Sequence, residues 1–123
     1  MAKKMIMVVD DEPNTLELAK VVLEMNNFNA ITFDSAKEAL DTLNKNEIPD
    51  LILLDMRMPQ ISGLDFCKRV KENPKLKDIK IVFFTASGSK DDEIVNQTGV
   101  LGYIFKPFDN DDLVRQVKQY LEI

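Results

Sequence analysis

Apolar residues along the chain fall into two alternating patterns. Short runs rich in apolar and β-branched residues occur at Lys4–Asp10, Asn29–Phe33, Leu51–Leu54, Ile79–Phe84 and Leu101–Phe105, and such runs predict strands. Three of them, carrying MIMVV, LILL and IVFF, are apolar throughout instead of alternating. That pattern suits parallel strands covered by helices on both faces. The longer stretches between the runs carry helical spacing. Pro13 fits a first helical turn, where its missing N–H is not needed, and Leu16, Ala19 and Leu23 then mark one face. Ser35 and Glu38 form a capping-box pattern ahead of Ala36, Ala39, Leu40 and Leu43. Asn73-Pro74 ends a third helix that carries Phe66, Cys67 and Val70, and Leu113, Val117 and Leu121 form the stripe of a last one. A fourth helical segment, about Ser89 to Thr98 and closed by Gly99, has only Ile94 and Val95 as large apolar residues. It is expected to be among the less stable elements. Five strands alternating with five helices predict one α/β domain over residues 1–123, a doubly wound parallel sheet with helices on both faces. Pattern alone leaves the strand order open.

Composition narrows the function classes. The 123 residues are 45% hydrophobic and 30% charged, enough for one domain with a real core. Sixteen Lys and Arg against 21 Asp and Glu leave a net charge of -5, which argues against binding a nucleic-acid backbone. The longest apolar stretch, Met5 to Val9, is far below the ~20 residues of a membrane span. Acids come directly after it, which is unlike a signal peptide, and a cytoplasmic protein is expected. The single cysteine, Cys67, can form no internal disulfide, and the absence of histidine removes His-based triads, zinc sites and phosphohistidine carriers.

The residues directly after each strand matter most, because a parallel sheet gathers all its carboxyl ends on one edge, where ligands bind at the point of strand-order reversal. The first strand ends in Asp10-Asp11-Glu12, the third in Asp55, the fourth in Thr85-Ala86 and the fifth in Lys106-Pro107. If the first and third strands are neighbours, Asp10, Asp11 and Asp55 crowd together, and like charges at ~4–6 Å resist joint ionisation. A divalent cation with oxygen ligands offsets that, and Mg²⁺ takes one or two carboxylates, waters and a phosphate. Lys106 supplies a positive charge and Thr85 a hydroxyl donor for the same oxygens. Carboxylate, metal, ammonium and hydroxyl are the parts needed to place a phosphoryl group on an aspartate.

Four segments carry a resemblance: VVDDEP (Val8 to Pro13), PDLILLDMRMPQISG (Pro49 to Gly63), FFTAS (Phe83 to Ser87) and GYIFKPF (Gly102 to Phe108). Together they resemble the receiver domain of two-component response regulators, of the single-domain, chemotaxis-regulator-like kind, over essentially the whole chain. The resemblance implies a flavodoxin-like sheet of order 2-1-3-4-5. It implies that Asp55 is the phospho-acceptor for a phosphoryl group from a histidine kinase or histidine phosphotransfer protein. It further implies that Asp11, Asp55 and the backbone carbonyl of Arg57 ligate Mg²⁺, with Asp10 acting mainly through metal-bound water. Thr85 then hydrogen-bonds the phosphoryl group, and Lys106 pairs with it from a conformation set by a cis Lys106-Pro107 bond. Tyr103 matches the aromatic whose rotamer accompanies the switch, Pro59 and Gly63 match the loop after the acceptor, and small Ala86 leaves the acyl phosphate accessible. A downstream target is expected on the surface of the fourth helix, fifth strand and fifth helix, with a homodimer on phosphorylation as a further option.

Plainer readings stand beside these. Thr85 also reads as a strand-end cap, Lys106 as a surface lysine before a turn proline, and Tyr103 as packing. Cys67 reads as a small buried hydrophobe. Arg57 either touches phosphoryl donors or is a solvated loop residue, and Lys3-Lys4 is a solvated terminus. Leu101 and Val100 depart from the resembled pattern, as a contact surface or a packing adjustment. Two other classes use the same sheet. A Mg²⁺-dependent aspartyl-phosphate phosphohydrolase normally carries an acid two residues after its nucleophile, where this chain has Arg57. A flavodoxin-like cofactor protein needs a Ser/Thr/Gly-rich phosphate loop after the first strand, where this chain has Asp-Asp-Glu-Pro. Within the favoured class, either the domain signals alone, by binding, self-association or relay, or it is a fragment whose output domain lies elsewhere.

Overall fold

Side chains on a strand alternate between its two faces, so a strand that is apolar on every residue is stable only between two helical layers. A computed structural model describes residues 3–45, 47–58, 60–86 and 92–123 and has this arrangement. The elements run β1 (Met5–Val9), α1 (Pro13–Met25), β2 (Asn29–Phe33), α2 (Ala36–Asn44), β3 (Leu51–Leu54), α3 (Gly63–Glu72), β4 (Lys80–Thr85), α4 (Asp92–Thr98), β5 (Tyr103–Phe105) and α5 (Asn110–Leu121). All the strands pair in parallel, in the order β2-β1-β3-β4-β5. Pro59 and residues 87–91, which include the expected start of the fourth helix at Ser89, lie outside the described residues.

Alternation divides the core in two. Ile6, Val8, Leu51, Leu53, Val82, Phe84 and Ile104 pack against α1 and α5. Met7, Val9, Ile52, Leu54, Ile81, Phe83 and Tyr103 pack against α2 and α3 on the other face, with Ile94 and Val95 of α4 only partly buried there. The expected helical stripes, Leu16, Ala19 and Leu23 in α1 and Leu113, Val117 and Leu121 in α5, are buried, joined by Val22 and Val114.

The helix ends obey their sequence signals. Ser35 Oγ accepts from the Glu38 N–H at 3.4 Å and Ser62 Oγ from the Asp65 N–H at 3.2 Å, each satisfying a first-turn donor. Asp109 does the same for α5 through the Asp111 N–H. Gly99 leaves α4 at φ +73°, the left-handed conformation that glycine adopts without steric cost. The expected fifth strand, Leu101–Phe105, is trimmed to its last three residues. The Leu101 N–H still donates to the Ile81 carbonyl, and the Gly102 carbonyl accepts from the Phe83 N–H, so the ladder extends past the regular strand.

Candidate functional site

The strand order reverses between β1 and β3, and the chain segments leaving these two strands carry the acids. β1 pairs with β3 in the register Val9↔Leu54, so Asp10 and Asp55 leave the sheet side by side. The Asp55 N–H donates to the Val9 carbonyl at 2.9 Å, and the Asp10 N–H to the Phe33 carbonyl of β2 at 3.0 Å. Backbone bonds to the neighbouring strand thus fix both carboxylates. Asp10 is fully buried, Asp55 is 8% exposed, and Asp11 faces solvent. One carboxylate oxygen from each of the three lies within 4.8 Å of the others. The crowding expected of neighbouring first and third strands is present.

Each buried carboxylate is held by the chain around it. Asp10 Oδ1 accepts from the Glu12 N–H at 2.9 Å, and Asp55 Oδ1 accepts from the Arg57 N–H at 3.0 Å. Lys106 arrives from the end of β5 and places Nζ 2.5 Å from Asp10 Oδ2 and 3.5 Å from Asp55 Oδ2. Its backbone N–H donates to the Thr85 carbonyl at 2.9 Å, and its peptide bond to Pro107 is cis. Burial pushes the Asp55 carboxyl above the usual carboxylate range. The Arg57 N–H and the Lys106 ammonium oppose that rise, and Asp10 and Asp11 add to it. Among the described residues, one ammonium for three carboxylates leaves the cluster with excess negative charge, in a form suited to a small hard cation with oxygen ligands.

The other expected residues surround this cluster. Thr85 is the buried last residue of β4, aligned with Phe105 of β5, and Ala86 comes next, exposed. Arg57 projects to solvent. Gly63 opens α3 against the loop that leaves β3: a Cβ there would fall 2.9 Å from Met56 Cα and 3.1 Å from the Asp55 carbonyl oxygen. Tyr103 lies inward, 4% exposed, with its ring centroid 5.7 Å from those of Phe83 and Phe105. Leu101 is 48% exposed while Val100 is buried, which assigns packing to Val100 and leaves Leu101 on the surface. Cys67 is buried in the α3 face of the core, and burial pushes its thiol up to about 12.

Two contacts have no counterpart among the sequence expectations. Phe84, inside the apolar run of β4, sets its ring centroid 5.2 Å from Lys106 Nζ. Tyr120 of α5 donates its hydroxyl to the Tyr103 carbonyl at 3.3 Å, over Gly102, where any Cβ would overlap the tyrosine. An aromatic in an apolar run reads as core, and only the fold reveals what lies over its face.

A five-stranded parallel sheet of this order, with an acidic cluster and a lysine at its reversal point, defines a doubly wound α/β protein built to handle charge at one sheet edge. The sequence matches the family described as response regulator receiver domain over residues 6–118. The chain belongs to that family, as the resemblance implied. It is 39% identical over 114 residues to the phosphate regulon transcriptional regulatory protein PhoB of Escherichia coli, covering 92% of this chain and 49% of PhoB. The chain thus spans about half the length of that relative. It is 34% identical over 119 residues to the polar-differentiation response regulator DivK of Brucella ovis, covering 96% of both. Among solved structures, a putative response regulator from Chloroflexus aurantiacus superposes with a TM-score of 0.88 at 31% identity, covering 98% of this chain and 99% of that one.

Proposed function

We propose that residues 1–123 form one receiver unit that accepts a phosphoryl group on Asp55 from a phosphohistidine of a histidine kinase or phosphotransfer protein. The observation that carries this reading is the cluster itself: three carboxylate oxygens within 4.8 Å and an ammonium 3.5 Å from Asp55 Oδ2. An Asp55 oxygen attacks phosphorus, the donor's P–N bond breaks, and the electron pair leaves with the imidazole nitrogen. Lys106 is placed to pair with a phosphoryl oxygen on Asp55, and Thr85 to donate its hydroxyl to another. Asp10, Asp11, Asp55 and the Arg57 carbonyl would hold Mg²⁺, which supplies charge neutralisation of the phosphoryl oxygens when bound. The donor set fits that ion, being all oxygen and mostly anionic.

The product is a switch. A phosphoryl group brings roughly -1.5 to -2 charge to one point, and Thr85 and Lys106 can track it only by moving β4 and β5. Tyr103, between Phe83 and Phe105 on those strands, is the aromatic that reports the move. We assign output to the surface of α4, β5 and α5, where exposed Leu101 lies beside β5, for a downstream protein or a second copy of the chain. The proposed setting is the cytoplasm. Correspondence to only half of PhoB supports a second reading of output, in which the unit works within a longer regulator. The phosphohydrolase reading lacks its second acid, since Arg57 stands at that position.

Chemical trapping tests the acceptor. The protein is incubated with phosphoramidate and Mg²⁺, then reduced with borohydride, which converts an aspartyl phosphate to homoserine. Homoserine at position 55 is the expected result. Homoserine elsewhere, or none, overturns the assignment.

A further inference from the structure

Lys106 carries its charge on a long flexible stem, and rotamer freedom of that kind is costly to suppress. Two carboxylates hold its ammonium from one side. On another side lies the face of Phe84, 5.2 Å from Nζ to ring centroid. Phe84 is fully buried, and its own ring is backed by Phe108 at 5.5 Å, tilted by 37°. Its position is a consequence of strand alternation. Phe84 points toward the α1 and α5 layer while its neighbour Phe83 points the other way. The ring therefore lies under the lysine that leaves β5 on that side. An aromatic face attracts a cation through its quadrupole, more strongly where water is excluded, and the Lys106 side chain is only 14% exposed.

We propose that Phe84 is a positioning residue for phosphoryl transfer, its ring face holding the Lys106 ammonium over Asp55 where a phosphoryl oxygen will arrive. The inference rests on the reading of Asp55 as acceptor. An aliphatic residue at position 84 would fill the same core but offer no such face, so the requirement is for the ring's electrons and not for bulk.

Fluorination separates the two, because it withdraws electron density from the ring with little change of shape. Phosphorylation by acetyl phosphate in saturating Mg²⁺ is timed by intact mass for wild type and for protein with pentafluorophenylalanine in place of Phe84. The same replacement is made in a Lys106→Ala background, and Mg²⁺ affinity is measured calorimetrically throughout. The expected result is a rate lowered about two- to fivefold by fluorination, with Mg²⁺ affinity unchanged and no effect of fluorination once Lys106 is gone. An unchanged rate, or equal slowing in both backgrounds, overturns the proposal. Wild type that gains no phosphoryl group overturns the acceptor reading beneath it. A fluorinated protein that melts like wild type yet phosphorylates more slowly excludes a packing defect as the cause.

Discussion

Asp55 is held against the grain of its own ionisation. Burial raises its pKa, with Asp10 and Asp11 adding to the rise, and the Arg57 N–H and Lys106 recover only part of the cost. A carboxyl whose folded-state pKa exceeds its unfolded value binds its proton more tightly in the native state. Its contribution to stability is therefore present below the unfolded value, near 3.9, and is lost as pH rises through the raised folded value. Asp55→Asn removes that loss. In chelator, the variant is expected to melt above wild type at pH 7, and the difference should shrink toward pH 4. A variant less stable than wild type at pH 7, or a gap that widens on acidification, would contradict this account. Cys67 makes the opposite case, a group silenced by its surroundings. Its buried thiol, pushed up to about 12, has almost no thiolate at neutral pH. Alkylation by iodoacetamide should be slow in the native protein and fast in denaturant; fast native labelling would show an opening the packing does not have.

Between elements, a tight constraint is the junction of the loop after β3 with α3. Gly63 is buried against Met56, the Asp55 carbonyl and Phe83, so Gly63→Ala forces backbone apart and is expected to cost about 1–3 kcal/mol, read as a lower urea midpoint with unchanged slope. A neutral outcome would mean that the loop yields freely. At this scale the sequence was informative for a physical reason. LILL and IVFF are buried in β3 and β4, and MIMVV in β1 from Ile6 onward, with only Met5 at the strand's start exposed, because apolar runs of this kind find a stable place between two helical layers. The order of those strands was not legible from the runs, since parallel pairing depends on contacts between distant segments. Their resemblance to a family supplied it instead. The weak apolar content of α4 was also legible: Ile94 and Val95 are only partly buried. Amide exchange faster in Asp92–Thr98 than in α1 or α5 is the expected consequence.

For the molecule as a whole, the net charge of -5 matters less than where charge is gathered. The acids that leave β1 and β3 and the lysine that leaves β5 meet because the strands are parallel and their ends share an edge. The residue types and their places after each strand were readable in advance. That Lys106 brings its charge to oxygens at this edge was readable too, whereas the ring of Phe84 beneath it and the Tyr120 contact over Gly102 were not, since each joins groups far apart in the sequence through the folded sheet. That sheet also suits a switch. Lys106 and Thr85 are joined by a backbone hydrogen bond, so the proposed phosphoryl group, if it drew on both, would act on β4 and β5 together. Reversing a 99:1 balance of two states takes about 5.5 kcal/mol, within reach of a few charge-assisted contacts. The central claim is that Asp55 accepts this group with the help of a divalent cation. It is tested most directly by intact mass after incubation with acetyl phosphate and Mg²⁺, for wild type and Asp55→Asn, with chelator as control. The account predicts the gain of a single phosphoryl group by wild type, abolished both by the substitution and by chelation; no gain, or a gain that persists in Asp55→Asn, would contradict it.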